Sequence, residues 1–489
     1  LQNLRYVVLD ELHVYTGVFG SHVANVIRRL LRICRFYGSS PVFLAASATI
    51  ANPAELAERI LGRPVLCVSE STAPRGERWL AFVNPPVVQR ELGIRRSCLA
   101  VARQVAGILL ERGLQTIAFA NSRLHMEVLL TYLKHDLERF PERRGWIRGY
   151  RGGYLPAKRR EIEREIREGV VRGVVSTNAL ELGIDIGRLD AVLLAGYPGS
   201  VASAWQRLGR AGRRQESSLG VLVATASPTN QFMAQHPEFF LDRSPESGRV
   251  NPDNLMILVD HIKCAAFELP FQKGDLFGGE PLEEILDHLA EAGLLHAREG
   301  RWIWTAEGYP AEAVSLQRIS SDHFEVLEEG GNGRILAQVD FSAALQTLHP
   351  RAVYMLEGEP YLVDRLDFDH RKAFLVPAEG DYYTEAVSSS KVSVLDLWDH
   401  QQASFGRVML GEVHVFSQVV GFKKIRFFTG ENVGSGDLAL PQQEFHTTAV
   451  WLIPGGEGWE AEGQERRLRE RGLWALLRLL RSMAAVHLL

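Results

Sequence analysis

The chain has 489 residues, of which 46% are apolar and 23% charged, and a formal net charge of −4. This length favours three or four domains rather than one. The small negative charge excludes a uniformly basic nucleic-acid-binding protein, so any site for a polyanion would have to be a local basic groove.

Two α/β units in tandem are predicted in the first half of the chain. Residues 4–9 and 42–46 are short apolar runs, and the segment 23–36 between them has helical spacing of apolar side chains. A second series begins near Trp79, with candidate strands at Ile117–Ala120, Ile147–Tyr150, Val174–Ser176, Ala191–Ala195 and Val221–Ala224. Alternating strands and helices predict parallel sheets covered on both faces. We place the first unit at 1–72 and the second at 73–248.

The second half of the chain has other patterns. Candidate helices at 253–267 and 281–292 precede two short candidate strands separated by Glu299-Gly300, which is typical of a winged helix or of another small α+β domain at 249–314. Residues 315–455 alternate apolar and polar side chains between turn signals, which predicts a β-barrel or sandwich. A glycine-rich linker and an amphipathic C-terminal helix are expected at 456–489, where interspersed arginines argue against a membrane span.

Two carboxylates, Asp10 and Glu11, follow the first apolar run. Ligands of open parallel sheets bind at the carboxyl ends of the strands. Phosphoryl transfer needs one carboxylate to hold Mg²⁺, often through water, and another group to orient the attacking water, which suits Asp10 and Glu11 in that order. An acidic pair that caps a helix is the alternative. Ser47 and Thr49 follow the second run and either bond to the Asp10–His13 loop or form an ordinary capped turn.

Several basic and polar residues of the second unit suit phosphate groups. Thr177 follows a candidate strand, where a helix N-terminus would offer N–H groups to a phosphate. Gln206, Arg210 and Arg213 have the spacing i, i+4 and i+7 of one helical face, and aligned arginines suit a transferring phosphoryl group. A solvated basic face is the alternative.

The pair Arg151-Gly152 precedes a basic segment. These two residues either hold a sugar–phosphate backbone or form a turn before a helix. The residues alone do not decide between these two interpretations.

Five segments in chain order carry a resemblance: DELH at 10–13, SAT at 47–49, AFANSR at 118–123, VVSTNALELGIDI at 174–186 and QRLGRAGR at 206–213. Together they resemble motifs II to VI of superfamily 2 helicases. The stretch 10–26 is similar to the mitomycin-repair branch (MrfA- or YprA-like), which is related to the fungal RecQ4-like helicases. The resemblance implies tandem RecA-like domains, a winged helix and a β-rich domain that unwind DNA with ATP and Mg²⁺, in the 3′ to 5′ direction, during DNA repair.

The resemblance also assigns roles to residues. It implies that Asp10 handles Mg²⁺, that Glu11 orients the water, and that His13, Ser47 and Thr49 couple hydrolysis to motion. It places the remaining ATP-site residues at Gly183, Asp185, Gln206, Arg210 and Arg213. It places Arg123 and Thr177 near the nucleic-acid strand.

The sequence departs from the family in two respects, because it contains neither a Gly-x-x-x-x-Gly-Lys-Ser/Thr loop nor the four-cysteine metal domain of the family. We therefore expect a first RecA-like domain that is truncated, a family metal domain beyond Leu489, no zinc site within the chain, and weak or no ATP hydrolysis by the chain alone. A DNA translocase without strong unwinding and a non-catalytic DNA-binding scaffold remain alternatives, and RNA is not distinguished from DNA. The expected partner is DNA with a single-stranded 3′ tail or a duplex junction, in the cytoplasm and without a membrane.

Overall fold

The computed structural model describes residues 1–70, 76–143, 145–181, 186–187, 189–212, 217–242, 244–279, 282–314, 316, 323–330, 333–403, 406–454, 472–474, 476–477 and 480. The predicted site residues Gly183, Asp185 and Arg213, and most of the segment 456–489, lie outside the described residues. No helix within the described ranges is long and apolar enough to cross a membrane.

The first α/β unit contains the parallel strands β1 (Tyr6–Leu9) and β2 (Val42–Ala45) and the helices α1 (Gly17–Phe36) and α2 (Pro53–Leu61). One face of the two-stranded sheet packs on the helices through Leu9 and Phe43. Helix α1 begins before the predicted position 23. Its first turns carry the polar but buried Ser21 and His22, which hide the apolar periodicity.

The second α/β unit is built on six parallel strands. They are β3 (Arg78–Val83), β6 (Thr116–Ala120), β7 (Ile147–Tyr150), β8 (Gly173–Ser176), β9 (Ala191–Ala195) and β10 (Ser218–Val223), with β4 (Val87–Gln89) and β5 (Ile94–Arg95) forming a separate pair. The helices are α3 (Cys98–Glu111), α4 (Arg123–Leu137), α5 (Pro156–Arg167), α6 (Val201–Leu208), α7 (Pro228–Gln235) and α8 (Pro237–Leu241). The strand order is β3-β10-β9-β6-β8-β7, and β6 and β9 are fully buried, as expected for a parallel sheet with both faces covered.

The next region has the elements expected for a winged helix. Helices α9 (Leu255–Glu268) and α10 (Leu282–Glu291) pack on a three-stranded sheet of β11 (Phe271–Gln272), β12 (Leu295–Arg298) and β13 (Arg301–Trp304). Trp302 of the hairpin is buried, and its indole N–H donates to Asp287 Oδ1 at 2.9 Å. This tryptophan is therefore part of the core.

The β-rich region begins with a five-stranded sheet. It consists of β14 (His323–Glu328), β15 (Ile335–Asp340), β16 (Val353–Leu356), β17 (Glu359–Asp367) and β18 (Lys372–Pro377), in the order β15-β14-β18-β17-β16. Helix α11 (Phe341–Thr347) packs on it through Ala344. Because β15 and β16 are its two edges, this sheet is open. It does not close into the barrel that was one of the two predicted forms.

The region ends in a second sheet around a long hairpin, β19 (Tyr382–Ala403) and β20 (Gly406–Arg426), followed by β21 (Asn432–Asp437) and β22 (Gln443–Pro454). Strand β20 pairs with β19 and also with β21 and β22. The base of the hairpin packs on α4, where Tyr383 and Phe427 contact Val128 and Tyr132. Both sheets of the β-rich region thus adjoin the second α/β unit.

Candidate active site

The Asp10–His13 loop lies at the carboxyl end of β1 and is tied to the loop that follows β2. The amide of Ala46 donates to the carbonyl of Leu9 at 2.9 Å, and the amide of Leu12 donates to the carbonyl of Ala46 at 2.8 Å. Glu11 has a left-handed backbone with φ of 52°, which is uncommon for a residue other than glycine and typical of functional sites. The Asp10 carboxylate accepts the Glu11 amide at 2.9 Å. The two carboxylates are thus held at the strand end, where solvent reaches both.

His13 connects this loop to Ser47. Its Nδ1 lies 3.2 Å from Ser47 Oγ and 3.4 Å from the Glu11 carboxylate. Burial lowers the pKa of His13, and the carboxylates of Glu11, Glu181 and Asp10 oppose that lowering. His13 is therefore neutral at pH 7, so the contact with Ser47 is a hydrogen bond between neutral groups. Among the described atoms, the buried Nε2 of His13 has no hydrogen-bond partner.

Gln206 joins the two α/β units. It lies on α6, and its Nε2 donates to Thr49 Oγ1 in the first unit at 2.7 Å. The predicted residue Ser47 thus contacts His13 within the first unit, and Thr49 contacts Gln206 of the second unit. We call this junction between the two units the cleft. The predicted coupling role of Ser47 and Thr49 stays a prediction.

The expectation that Gln206, Arg210 and Arg213 share one helical face is wrong for Arg210, and Arg213 lies outside the described residues. Helix α6 ends at Leu208, and the chain turns through Gly209 and Gly212, of which Gly212 has φ of 76°. Arg210 instead lies beyond the helix, where its Nε donates to the carbonyl oxygen of Glu181 at 3.1 Å. The glycines that suggested close approach also end the helix.

Arg207 and Glu181 were not singled out in the sequence, yet they form the buried ion pair of this site. Arg207 Nε donates to Glu181 Oε2 at 2.9 Å, and its Nη1 donates to Asn121 Oδ1 at 3.3 Å. Arg207 is buried, and its guanidinium lies over the ring of Phe119. A signal existed, because Glu181 is the single acidic residue of segment 174–184 and follows a strand that neighbours β6.

The predicted nucleic-acid residues are placed at the carboxyl ends of β6, β7 and β8. Thr177 is buried directly after β8. Arg123 begins α4, beside the N-cap Ser122, and forms an ion pair of 2.7 Å with Asp340 of the β-rich region. A Cβ added to Gly152 would lie 4.0 Å from Arg123 Nη2. Arg123 and Asp340 line a cleft of about 520 Å³ between the second α/β unit and the β-rich region.

Arg151, which was predicted to contact a nucleic-acid backbone, is buried against partners within the protein. It is 2% exposed, and its Nε donates to Glu127 Oε1 at 2.7 Å. Its Nη2 donates to the Tyr354 hydroxyl at 3.1 Å and to the Met355 carbonyl at 3.2 Å. Burial opposes the charge of Arg151, but its contacts with Tyr354, Glu127 and Tyr154 raise its pKa above the ordinary value. Arg151 thus joins the second α/β unit to the β-rich region.

Two families match parts of the chain. The helicase conserved C-terminal domain matches residues 100–215, within the second α/β unit. The winged helix domain of the ATP-dependent helicase HRQ1 matches residues 250–319. Both matches confirm the fold expected for these regions.

Similar proteins cover most of the chain. The uncharacterized ATP-dependent helicase YprA of Bacillus subtilis is 48% identical over 92% of this chain and 60% of its own length. The ATP-dependent helicase HRQ1 of Saccharomyces cerevisiae is 34% identical over 87% of this chain and 41% of its own length. A crystal structure of the DUF1998 helicase MrfA bound to DNA has a TM-score of 0.88 at 48% identity, and covers 95% of this chain and 62% of that one. A second MrfA structure, bound to DNA and AMPPNP, has a TM-score of 0.84 at 47% identity, and covers 91% of this chain and 60% of that one. The chain therefore spans about 60% or less of the length of these relatives.

Proposed function

Since the chain is a homologue of the MrfA, YprA and Hrq1 helicases, we propose that it forms part of an ATP-dependent DNA helicase of 3′ to 5′ polarity that acts in DNA repair. The observation that carries the proposal is the 2.7 Å hydrogen bond between Gln206 and Thr49. It brings the helix that leads to Arg210 against the loop that supports Asp10 and Glu11. Carboxylates on one side of a cleft and arginines on the other are what phosphoryl transfer from ATP requires.

The acidic residues fit a magnesium-dependent hydrolysis. Mg²⁺ keeps several waters and needs only one or two protein carboxylates, so the exposed Asp10 would hold it through water. This fit is compatible with the finding that no cluster of three or more metal-ligating side chains occurs in the described part of the chain. When bound, the ion would neutralise charge on the phosphates. Glu11 orients the attacking water. The hydrogen bond between His13 and Ser47 couples the conformation of this loop to the loop that follows β2.

The basic residues complete the proposed site. Arg210 and Arg213 stabilise the charge that develops on the transferring phosphoryl group. Gly183 and Asp185 lie beside the nucleotide in this proposal. Arg123, Gly152 and Thr177 contact the DNA backbone, since backbone amides and arginines are the usual phosphate donors.

We also propose that the first α/β unit is completed by residues outside this sequence. Tyr6, Val8, Val42 and Leu44 lie on one face of the β1–β2 sheet, and each is more than half exposed. Parallel sheets normally have both faces covered. A missing phosphate-binding loop would then belong to the same absent part, and the present chain alone would hydrolyse ATP weakly or not at all.

The test is strand separation by a longer protein that extends the chain upstream. We expect ATP-dependent unwinding of a duplex with a 3′ single-stranded tail, little unwinding with a 5′ tail, and loss of both unwinding and ATP hydrolysis in Glu11→Gln. Glu238→Gln, an exposed carboxylate of α8, is the matched control. ATP hydrolysis stimulated by DNA without unwinding would instead indicate a translocase, and DNA binding without hydrolysis would indicate a scaffold. An RNA duplex with the same tail tests the choice of sugar.

A further inference from the structure

A short stretch of chain returns from the second α/β unit to the first. We call residues 246–251 the return segment. The carbonyl of Arg249 accepts the amide of Gly17 at 2.7 Å, and the amide of Asn251 donates to Ser21 Oγ at 2.9 Å. A Cβ on Gly248 would lie 2.7 Å from side-chain atoms of Ile50 and Leu56. The return segment therefore packs tightly on the first unit.

Asn52 fixes the return segment to the loop after β2. Its Nδ2 donates to the Gly248 carbonyl at 3.0 Å, and its Oδ1 accepts the Gly248 amide at 2.8 Å. The carbonyl of Glu246 accepts the amide of Ala51 at 3.3 Å. Ala51 and Asn52 lie two and three residues after Thr49 in the sequence. The backbone of the return segment is thus tied to the loop that receives Gln206.

The side chain of Glu246 points the other way, to the N-terminus of α6 in the second unit. Its Oε1 accepts the amide of Val201 at 2.6 Å, and its Oε2 accepts the amide of Ala202 at 2.9 Å. Ser200 Oγ accepts the next amide, that of Ser203, at 3.1 Å. The first three amides of α6 therefore all have acceptors, and a carboxylate is favoured there by the helix dipole.

We propose that Glu246 is a positioning residue of the candidate active site. Its backbone is tied to the loop after Thr49, and its carboxylate determines where α6 begins, so one residue sets the distance between the two sides of the cleft. Gln206 lies in the second turn of α6, and a displaced helix start would move it away from Thr49. Glu246 acts through α6 and through Arg210 beyond it, without touching the nucleotide. The catalytic consequence rests on the proposed ATP hydrolysis, whereas the positional one does not.

The positional part can be tested on the chain as it stands, by hydrogen–deuterium exchange. In Glu246→Gln the side-chain NH₂ group replaces one carboxylate oxygen. This group can only donate, so one of the two helix N–H groups loses its acceptor. We expect one of the two amides, that of Val201 or that of Ala202, to exchange about tenfold faster, and exchange to rise near Ala51 as well. Glu238→Gln, which removes an exposed carboxylate of the same unit, should leave these amides unchanged. Unaltered exchange in Glu246→Gln would overturn the proposal.

The catalytic part uses the longer protein. We expect Glu246→Gln to lower kcat for DNA-stimulated ATP hydrolysis about tenfold, with the KM for ATP changed by less than about twofold, and Glu246→Asp to restore part of the rate. A purely structural role would lower the melting temperature without this split between kcat and KM, and that result would overturn the proposal. If the wild-type protein hydrolyses no ATP, the proposed function fails, and the exchange experiment alone then decides the role of Glu246.

Discussion

Replacing Arg151 by Leu is expected to destabilise the junction between the second α/β unit and the β-rich region by about 3–5 kcal/mol. Arg151 and Glu127 are each 2% exposed and lie 2.7 Å apart. Removing the guanidinium leaves a buried carboxylate without its cationic partner, and this desolvation is the source of the destabilisation.

The contacts that remain around Glu127 place the expected loss in the lower half of that range. The Tyr154 hydroxyl still donates to the carboxylate at 2.9 Å, and the Gly358 amide donates at 2.8 Å. Each hydrogen bond to a charged group is worth about 1.5–3 kcal/mol, so these two donors still stabilise part of the charge of the buried carboxylate. The double variant Glu127→Gln with Arg151→Leu should therefore lose less free energy of unfolding than Arg151→Leu alone, because no uncompensated charge stays buried.

The assay is urea unfolding, followed by tryptophan fluorescence and by far-UV circular dichroism, because a chain with several domains need not unfold in one step. Arg298→Leu is the matched control, since Arg298 and Glu299 form a surface pair with side chains 76% and 82% exposed, worth about 0–1 kcal/mol. The salt dependence of DNA binding should be unchanged in Arg151→Leu. A loss below about 1 kcal/mol together with a shallower salt dependence would refute the reasoning and return Arg151 to the DNA interface.

Three further predictions concern other contacts. Arg123→Ala should weaken binding of single-stranded DNA and make the slope of log K against log salt concentration shallower by about 0.7. Asp340→Asn should strengthen binding, because it releases Arg123 from its ion pair. Fluorescence anisotropy at several salt concentrations measures both effects, and unchanged binding would remove Arg123 from the site. Burial and the neighbouring Arg29, His22 and Arg28 lower the pKa of His261 from 6.5 to about 3. The unfolded state therefore binds the proton first, and the free energy of unfolding should fall as the pH is lowered from about 6.5 towards 3. In urea unfolding, the free energy of unfolding of His261→Gln should fall less between pH 7 and pH 5 than that of the wild type. An equal fall in both proteins would contradict this account. Gln206→Ala should lower kcat of the longer protein more than it changes the KM for ATP, and steady-state kinetics showing the reverse would mean that Gln206 serves nucleotide binding.

Local patterns predicted most of the α/β and winged-helix elements, because their strands and helices are short and carry a clear apolar period. The long hairpin was not predicted. Strand β19 has 22 residues, far more than an ordinary strand, and most of its side chains beyond Ala386 are exposed. The run Ser388-Ser389-Ser390 and the register shifts near Leu395 and Trp398 remove the alternation by which a half-buried strand is recognised.

The parts of the site that follow strands could be predicted for a similar reason. Asp10, Ser47 and Thr177 come directly after candidate strands, and a parallel sheet brings such positions to one edge. Glu246 gives no such signal, since it follows a helical segment and its acceptor role depends on amides 45 and 44 residues away. Its importance depends on the path of the return segment, which no local pattern encodes.

Arg151 and Arg210 show why a glycine-flanked arginine does not reveal its own role. Both have glycine neighbours in the sequence, and both suggested a phosphate ligand. Arg151 meets a buried carboxylate on α4, whereas Arg210 donates to a backbone carbonyl at the cleft between the units. A carboxylate matches the charge of the guanidinium group and keeps Arg151 in the core. The buried acceptor on α4, rather than the flanking glycines, therefore identifies Arg151 as a residue that joins two regions of the protein.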